Sequence, residues 1–284
     1  MMYLSWDSTR EVNRRETSSR IVPGASMPEL VCLTVRSDVG SEMNRALEEG
    51  VRNSGDTLNY TEVVSGGLQD SCEIYHTLRV PRGGEYTLVL ADGTTVYLNA
   101  ESELRFPKQF RGKKRKVYLT GEGYFDVQRN EKQPFIVEAQ QVEVRVLGTS
   151  FGVRAYTKEE NVLTTLIQGR VNVEADGQQV ELNPGQQADF NRGNDRLTVA
   201  EVDVEQYVGW KDGRLVFDNK PLEFILEELG RWYSFDVFYT NKELKEIPYS
   251  LNIKKHEDIA HVLKFIERTG KVKFEVNKNT IIVK

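Results

Sequence analysis

The side chains of this 284-residue chain that could carry chemistry are three histidines, two cysteines and a scatter of carboxylates. The histidines are His76, His256 and His261. The last two are five apart, so they do not share a helix face as the i, i+4 pair of a zinc-binding helix does. No set of thiols or carboxylates completes a metal site around them, and no metal is expected. Gly148-Thr149-Ser150 lacks the G-x-S-x-G spacing and the strand-turn-helix setting of a nucleophile elbow. Gly121-Glu122-Gly123 begins like a dinucleotide loop, but no helix follows and the third glycine is absent. It reads as a tight turn or bulge before a strand. Asp92, Glu101, Glu122 and Asp126 are spread through strand-like sequence; a glycosidase needs two facing carboxyls at a defined separation, and sequence leaves that pairing open. The basic run Arg111-Gly112-Lys113-Lys114-Arg115-Lys116 lies between two strand-like stretches and reads as a solvated hairpin tip. The chain is expected not to be an enzyme and to need no cofactor.

The elements that must position these residues belong to a soluble globular chain. Its residues are 39% hydrophobic and 29% charged, and its length suits one large domain or two ordinary ones. A net charge of −5 lacks the basic face that phosphate contacts require, so no nucleic-acid partner is expected. No stretch reaches the roughly 18–20 consecutive apolar residues of a membrane helix, and residues 1–6 are too short for a signal peptide. A disulfide between Cys32 and Cys72 would close a loop of about 40 residues, adding about 4 kcal/mol on the chain-entropy model. Two separately buried thiols are the other reading, and sequence leaves the choice open.

Three zones differ in pattern. Residues 1–27 are polar, carry the charged run 10–16 and read as an arm or post-membrane tether. Residues 28–205 alternate apolar and polar positions with turn signals every 8–12 residues, the pattern of a β sandwich, barrel or solenoid. Expected strands include 86–90, 95–98, 117–119, 124–127, 135–137, 142–146 and 151–156, with a turn at Asp92-Gly93. Residues 212–284 switch to a β-α-β-β-α-β order. Leu222, Ile225, Leu226, Leu229 and Trp232 recur at helical spacing, with Asp218 or Asn219 as cap and Pro221 in the first turn. Ile259, Val262, Leu263 and Ile266 mark a second helix, ended by Gly270. The fold class is therefore mainly β: an antiparallel sandwich or solenoid-like domain followed by a small α+β domain.

Several ordered motifs resemble one family. They are Pro81-Arg82-Gly83-Gly84, Asp92-Gly93-Thr94, Tyr97-Leu98-Asn99-Ala100, Phe106-Pro107, Gly121-Glu122-Gly123-Tyr124-Phe125-Asp126-Val127, Leu147-Gly148-Thr149-Ser150-Phe151, Pro184-Gly185-Gln186-Gln187, Trp210-Lys211-Asp212-Gly213 and Arg231-Trp232-Tyr233. Together they are similar to FecR-type anti-sigma regulators of Bacteroidetes, over about residues 81–284. The resemblance implies a periplasmic region with a β-rich domain and a C-terminal domain similar to the short N-terminal domain of secretins and TonB-dependent receptors. It also implies a cytoplasmic domain that holds an extracytoplasmic-function sigma factor and one inner-membrane helix; neither is expected within this sequence. The implied partner is the N-terminal signalling domain of a TonB-dependent outer-membrane transporter, with the sigma factor reached only through the cytoplasmic domain.

Short sheets with open edges suit such a receiver, because an edge strand can pair with another chain. The stretches 235–239 and 249–253 are the expected contact strands. The candidate partner-binding residues are Trp232, Tyr233, Phe235, Val237, Tyr239, Tyr249, Leu251 and Ile253; Trp232 also lies on the apolar stripe, which favours the core. The competing readings are a carbohydrate-binding or adhesive β module, which would need Tyr97, Tyr118 and Tyr124 exposed on a sheet face, and an all-β hydrolase, which would need a paired-carboxylate cleft.

Overall fold

The computed structural model describes residues 57–61, 74–254 and 257–284 in full, together with the backbone of three further strands at 32–37, 42–43 and 52–54. The expected arm at 1–27, His256, and any pairing of Cys32 with Cys72 lie outside what is described.

Two sheets share one long strand. The first runs, in spatial order, through β2 (Glu42–Met43), β1 (Cys32–Ser37), β5 (Ile74–Val80), β8 (Ser102–Pro107), β9 (Arg115–Asp126), β10 (Phe135–Ala139), β11 (Val142–Val146), β14 (Val171–Ala175) and β15 (Gln178–Leu182). The second runs through β3 (Arg52–Ser54), β4 (Thr57–Asn59), β6 (Tyr86–Val89), β7 (Thr95–Leu98), β9 again, β12 (Ser150–Ala155), β13 (Asn161–Gln168), β16 (Gln186–Asn191) and β17 (Arg196–Glu201). The early residues of β9 pair with β8 and β10, and its later residues, from Gly121 on, pair with β7 and β12. Pairing is antiparallel except for β4 with β6 and β9 with β10.

Sequence suggested two strands here, at 117–119 and 124–127, divided by a turn at Gly121. The backbone instead continues as one strand that changes sheets there. Gly121 has φ +95°, and a Cβ on it would stand 2.7 Å from the Cα of Ser102. Only glycine accommodates both the left-handed conformation and that approach.

The inner faces of the two sheets meet in one apolar core. Phe125 of β9 stacks on Phe151 of β12 at 5.2 Å and lies 6.3 Å from Phe135 of β10. Alternate residues such as Leu104, Phe106, Val117 and Leu119 are shut from solvent, as the period-2 pattern requires.

The basic run departs in part from a solvated tip. Arg111 to Lys114 are exposed, but Arg115 is 1% exposed. Its guanidinium donates to Asp92 at 2.6 Å and to the carbonyls of Gln128 and Gln133, both at 2.8 Å. Asp92 also accepts from the backbone N–H of Thr94 at 3.0 Å. Arg115 thus ties the 92–93 turn to the start of β9, and a buried charge requires that set of partners.

A short helix α1 (Glu205–Val208) and a 3-10 turn (Gly209–Asp212) lead to the C-terminal segment: β18 (Arg214–Pro221), α2 (Leu222–Tyr233), β19 (Asp236–Tyr239), a 3-10 turn (Lys242–Glu246), β20 (Pro248–Lys254), α3 (Ile259–Glu267), β21 (Phe274–Asn277) and β22 (Thr280–Val283). Its strands form two sheets, β18–β20 and β19–β22–β21. The α2 stripe Leu222, Ile225, Leu226, Leu229 and Trp232 is buried, as its spacing demands. The expected cap is different: Pro221 occupies the N-cap position with no side-chain bond to the helix. Asp218 and Asn219 lie within β18, where Asn219 donates its backbone N–H to Ser250 Oγ at a bulge.

Candidate functional site

The outer face of the second sheet should be polar by alternation, yet much of it is covered. On β9, Glu122 and Tyr124 point outward; on β12, Gly152 and Arg154 do, and Glu122 stands directly opposite Arg154 across the strands. Val208 of α1 lies on Gly152, where a Cβ would approach it to 3.0 Å. Trp210, Val208, Tyr124 and Ala100 belong to the same core as α2 and α3, with Tyr97 and Ile167 packed against it. The connector is therefore wedged between the sheet and the C-terminal segment.

Beside this apolar contact sits a buried charge network. Arg154 donates from Nη2 to Glu228 of α2 and to Glu159, each at 2.6 Å, and from Nε to the second oxygen of Glu159 at 2.8 Å. Its Nη1 is 3.4 Å from Glu122. Arg231, one turn after Glu228 on α2, pairs with Glu228 and donates to Glu159 at 2.8 Å. The ring of Tyr156 lies under both guanidiniums, 5.0 Å from Arg154 and 4.1 Å from Arg231. Its hydroxyl donates to the carbonyl of Ala100 at 2.8 Å. Glu122 accepts from Asn99 Nδ2 at 2.7 Å, and Asn99 Oδ1 accepts from Trp232 Nε1 at 2.9 Å. Further out, Arg82 holds Asp236 at 2.7 Å and the carbonyl of Phe235 at 3.0 Å, while Gly83 donates its N–H to the carbonyl of Arg231 at 2.7 Å.

The charges differ in state because their neighbours differ. Burial pushes the Glu122 carboxyl up to about 7, since Arg154 is too distant to offset it fully. Burial also acts against ionised Glu228, but Arg154 and Arg231 together outweigh it and hold that carboxyl below the ordinary range. With Glu122 protonated, two arginines face two carboxylates, so the network is close to neutral. Isolated buried charge would otherwise be costly.

This arrangement bears on each site residue expected from sequence. Trp232 is 5% exposed and Tyr233 2%. Trp232 joins the two cores through Asn99, and the Tyr233 hydroxyl donates to the carbonyl of Glu257 at 2.8 Å. Phe235, Tyr249, Leu251 and Ile253 are likewise buried, while Val237 and Tyr239 are half-buried. The side chains of Trp232, Tyr233, Phe235 and Tyr249 thus serve packing, because strand and helix periodicity turn them inward. What β19 and β20 leave open is backbone: each has a strand partner on one side only among the described residues. Sequence reasoning named Glu122 among scattered carboxylates without a partner, and missed Arg154, Glu159 and Glu228. The only trace was Glu228 and Arg231, one helical turn apart beside the apolar stripe.

Tyr97 and Tyr124, 5.9 Å apart, are packed against the connector, and Lys211 lies 5.0 Å from the Tyr124 ring. Tyr118 is on the other sheet, near Tyr75 and Arg105. The three tyrosines form no common platform. The carboxylates gathered here, Glu122, Glu159 and Glu228, are bridged by arginine, and Glu122 and Glu228 are closed to solvent. Among the described residues no group of three His, Cys, Asp or Glu is placed to hold a metal ion, and no helix is long and apolar enough to cross a membrane.

The described residues form a mainly β body joined through a buried charge network to a small α/β segment. Residues 76–172 match the family described as FecR protein, and residues 214–283 match the one described as FecR, C-terminal. Carrying both parts in order, the chain belongs to the FecR family, a family of regulators. Two crystal structures of a candidate anti-sigma factor from Parabacteroides distasonis ATCC 8503 are similar to it. Each has a TM-score of 0.69 and 27% identity; one covers 73% and the other 74% of this chain, and each is covered over 98% of its own length. No curated protein matches the chain.

Proposed function

We propose that the chain is the periplasmic signal-receiving part of a membrane-anchored anti-sigma regulator of the Bacteroidetes type. It relays the substrate occupancy of a TonB-dependent outer-membrane transporter to an extracytoplasmic-function sigma factor. Residues 28–205 form its β-rich domain, and residues 212–284 form a receiving domain similar to the short N-terminal domain of secretins and TonB-dependent receptors. The partner is the N-terminal signalling domain of the transporter. The sigma factor is reached through a cytoplasmic domain beyond a membrane helix.

The observation that carries this reading is the lock between α2 and the sheet. A receiver must transmit a contact on its C-terminal segment to the body connected to the membrane. Arg154 and Arg231, held among Glu122, Glu159 and Glu228, tie α2 to the sheet of the β-rich body through buried ion pairs. A partner contact that parted these pairs would be felt on both sides of the boundary, which is what a relay needs. The structural likeness to a candidate anti-sigma factor supports the same role. The carbohydrate-binding alternative loses support because Tyr97 and Tyr124 are covered.

Calorimetry between the chain and the signalling domain of the transporter encoded beside it tests the reading. A 1:1 complex, lost on deleting residues 212–284, is expected. Absence of binding with both proteins folded would overturn it.

A further inference from the structure

Strand β20 pairs with β18 on one side, and among the described residues no strand pairs with its other side. β18 is backed in turn by α1 and the 3-10 turn, with Gly209 against the carbonyl of Arg214. The accessible edge of this small sheet is therefore that of β20.

Beside that edge lies α3, whose two faces differ in character. Ile259, Val262, Leu263 and Ile266 are buried, whereas His261, Lys264, Phe265 and Arg268, spaced i, i+3, i+4 and i+7, are exposed on one stripe. The strand and the stripe enclose a groove of about 470 Å³, with Leu251 and Ile253 among the strand residues and Phe265, Lys264 and Arg268 among those of the helix. Phe265 is 59% exposed, the same as Phe238 and unmatched by any other large hydrophobic among the described residues. Lys245 and Lys284 of the same segment pair with Glu223 and Glu275. Lys264, Arg268 and His261 have no such ion pair among the described residues, and Glu257 is the sole acid of the groove. An open strand edge, an exposed aromatic and unneutralised cations in one groove are the three elements of strand addition: main-chain bonds, a side-chain anchor and a charge filter.

We propose that an acidic, extended segment of the transporter's signalling domain adds to β20 as a further strand. It packs an apolar side chain on Phe265 and sets its carboxylates opposite Lys264 and Arg268. The proposal rests on the receiver reading and narrows it to one of the two expected contact strands, β19 and β20. The β19 edge is the poorer choice, because Asp236 and the carbonyl of Phe235 at its start are already held by Arg82 of the β-rich body. Joined to β20, the added strand would sit on the sheet whose other strand leads directly into α2, and so into the Arg154 network.

The test is calorimetry of the whole chain with the signalling domain at low and moderate salt, comparing wild type with Lys264→Glu/Arg268→Glu, Phe265→Ser and Phe238→Ser. All substitutions are at exposed positions, and circular dichroism checks that each variant folds. The charge reversal should weaken binding at least tenfold and flatten the salt dependence; Phe265→Ser should weaken it several-fold, and Phe238→Ser should leave it unchanged. If wild type binds and the Lys264/Arg268 variant binds equally well, the groove is not the site, and the receiver reading stands without it. If wild type does not bind at all, both the partner and this site are overturned.

Discussion

Arg154 of β12 and Glu228 of α2 are 74 residues apart in sequence and 2.6 Å apart in space, and both are closed to solvent. Glu159, Arg231 and Glu122 complete the contact, so no single charge is left without a counterpart. Replacing one member strands the others in a desolvated site, which is costlier than losing an exposed ion pair. Arg154→Ala should destabilise the chain by about 3–5 kcal/mol. Arg154→Met paired with Glu228→Gln should recover part of that loss, because it removes both charges together. Chemical denaturation of the single and double variants measures the coupling; strict additivity would mean that the pair contributes nothing of its own.

The carboxyl of Glu122 gives the fold a pH signature. Its folded value, about 7, lies above the ordinary 4.5. A group raised on folding stabilises most fully below its unfolded value, and that contribution is lost as pH rises through the folded value. The wild-type chain should therefore lose stability between about pH 4.5 and 7 on this account. Glu122→Gln, which keeps the bond with Asn99 and cannot ionise, should remove that slope. Glu228 acts in the opposite sense: its lowered value stabilises above the ordinary range, and the contribution is lost only in more acidic solution. Melting temperatures of both proteins across this window provide the check; parallel profiles would show that Glu122 does not titrate there.

Gly121 is where β9 passes from one sheet to the other. Alanine there would have to hold φ +95° and approach Ser102 to within van der Waals contact. Gly121→Ala should cost at least about 1–3 kcal/mol from backbone strain alone, with the clash adding to it. Gly177, also at positive φ but with open space around it, is the control, and its alanine variant should lose less. Equal losses in urea denaturation would show that crowding at Ser102 is relieved by a small shift.

Much of this architecture was legible because local patterns and global contacts agree. The α2 stripe from Leu222 to Trp232 and the alternating strands around Val117 and Val144 each bury what their spacing implies, and the Asp92-Gly93 turn joins β6 to β7 with Gly93 at φ +84°. Arg115 was not legible, since a cation in a basic run gives no sign that a turn aspartate and two carbonyls enclose it. The charge network was hidden for a related reason. Alternation places Glu122 and Arg154 on the outer side of their strands, but nothing local reveals that α2 will cover that side. The ordered motifs pointed to the FecR family where physical patterns alone ended at a β-rich binding module. The eight expected contact residues were chosen as apolar and aromatic, and that same property buries most of their side chains.

Hydrogen exchange of the chain, alone and with the transporter's signalling domain, tests the central claim most directly. The account predicts slowed exchange in β20 and α3, where the partner pairs, accompanied by altered exchange in α2 and β12 around Glu228 and Arg154, which the partner does not touch. Protection confined to the contact strand, with α2 and β12 unchanged, would contradict a relay through this boundary.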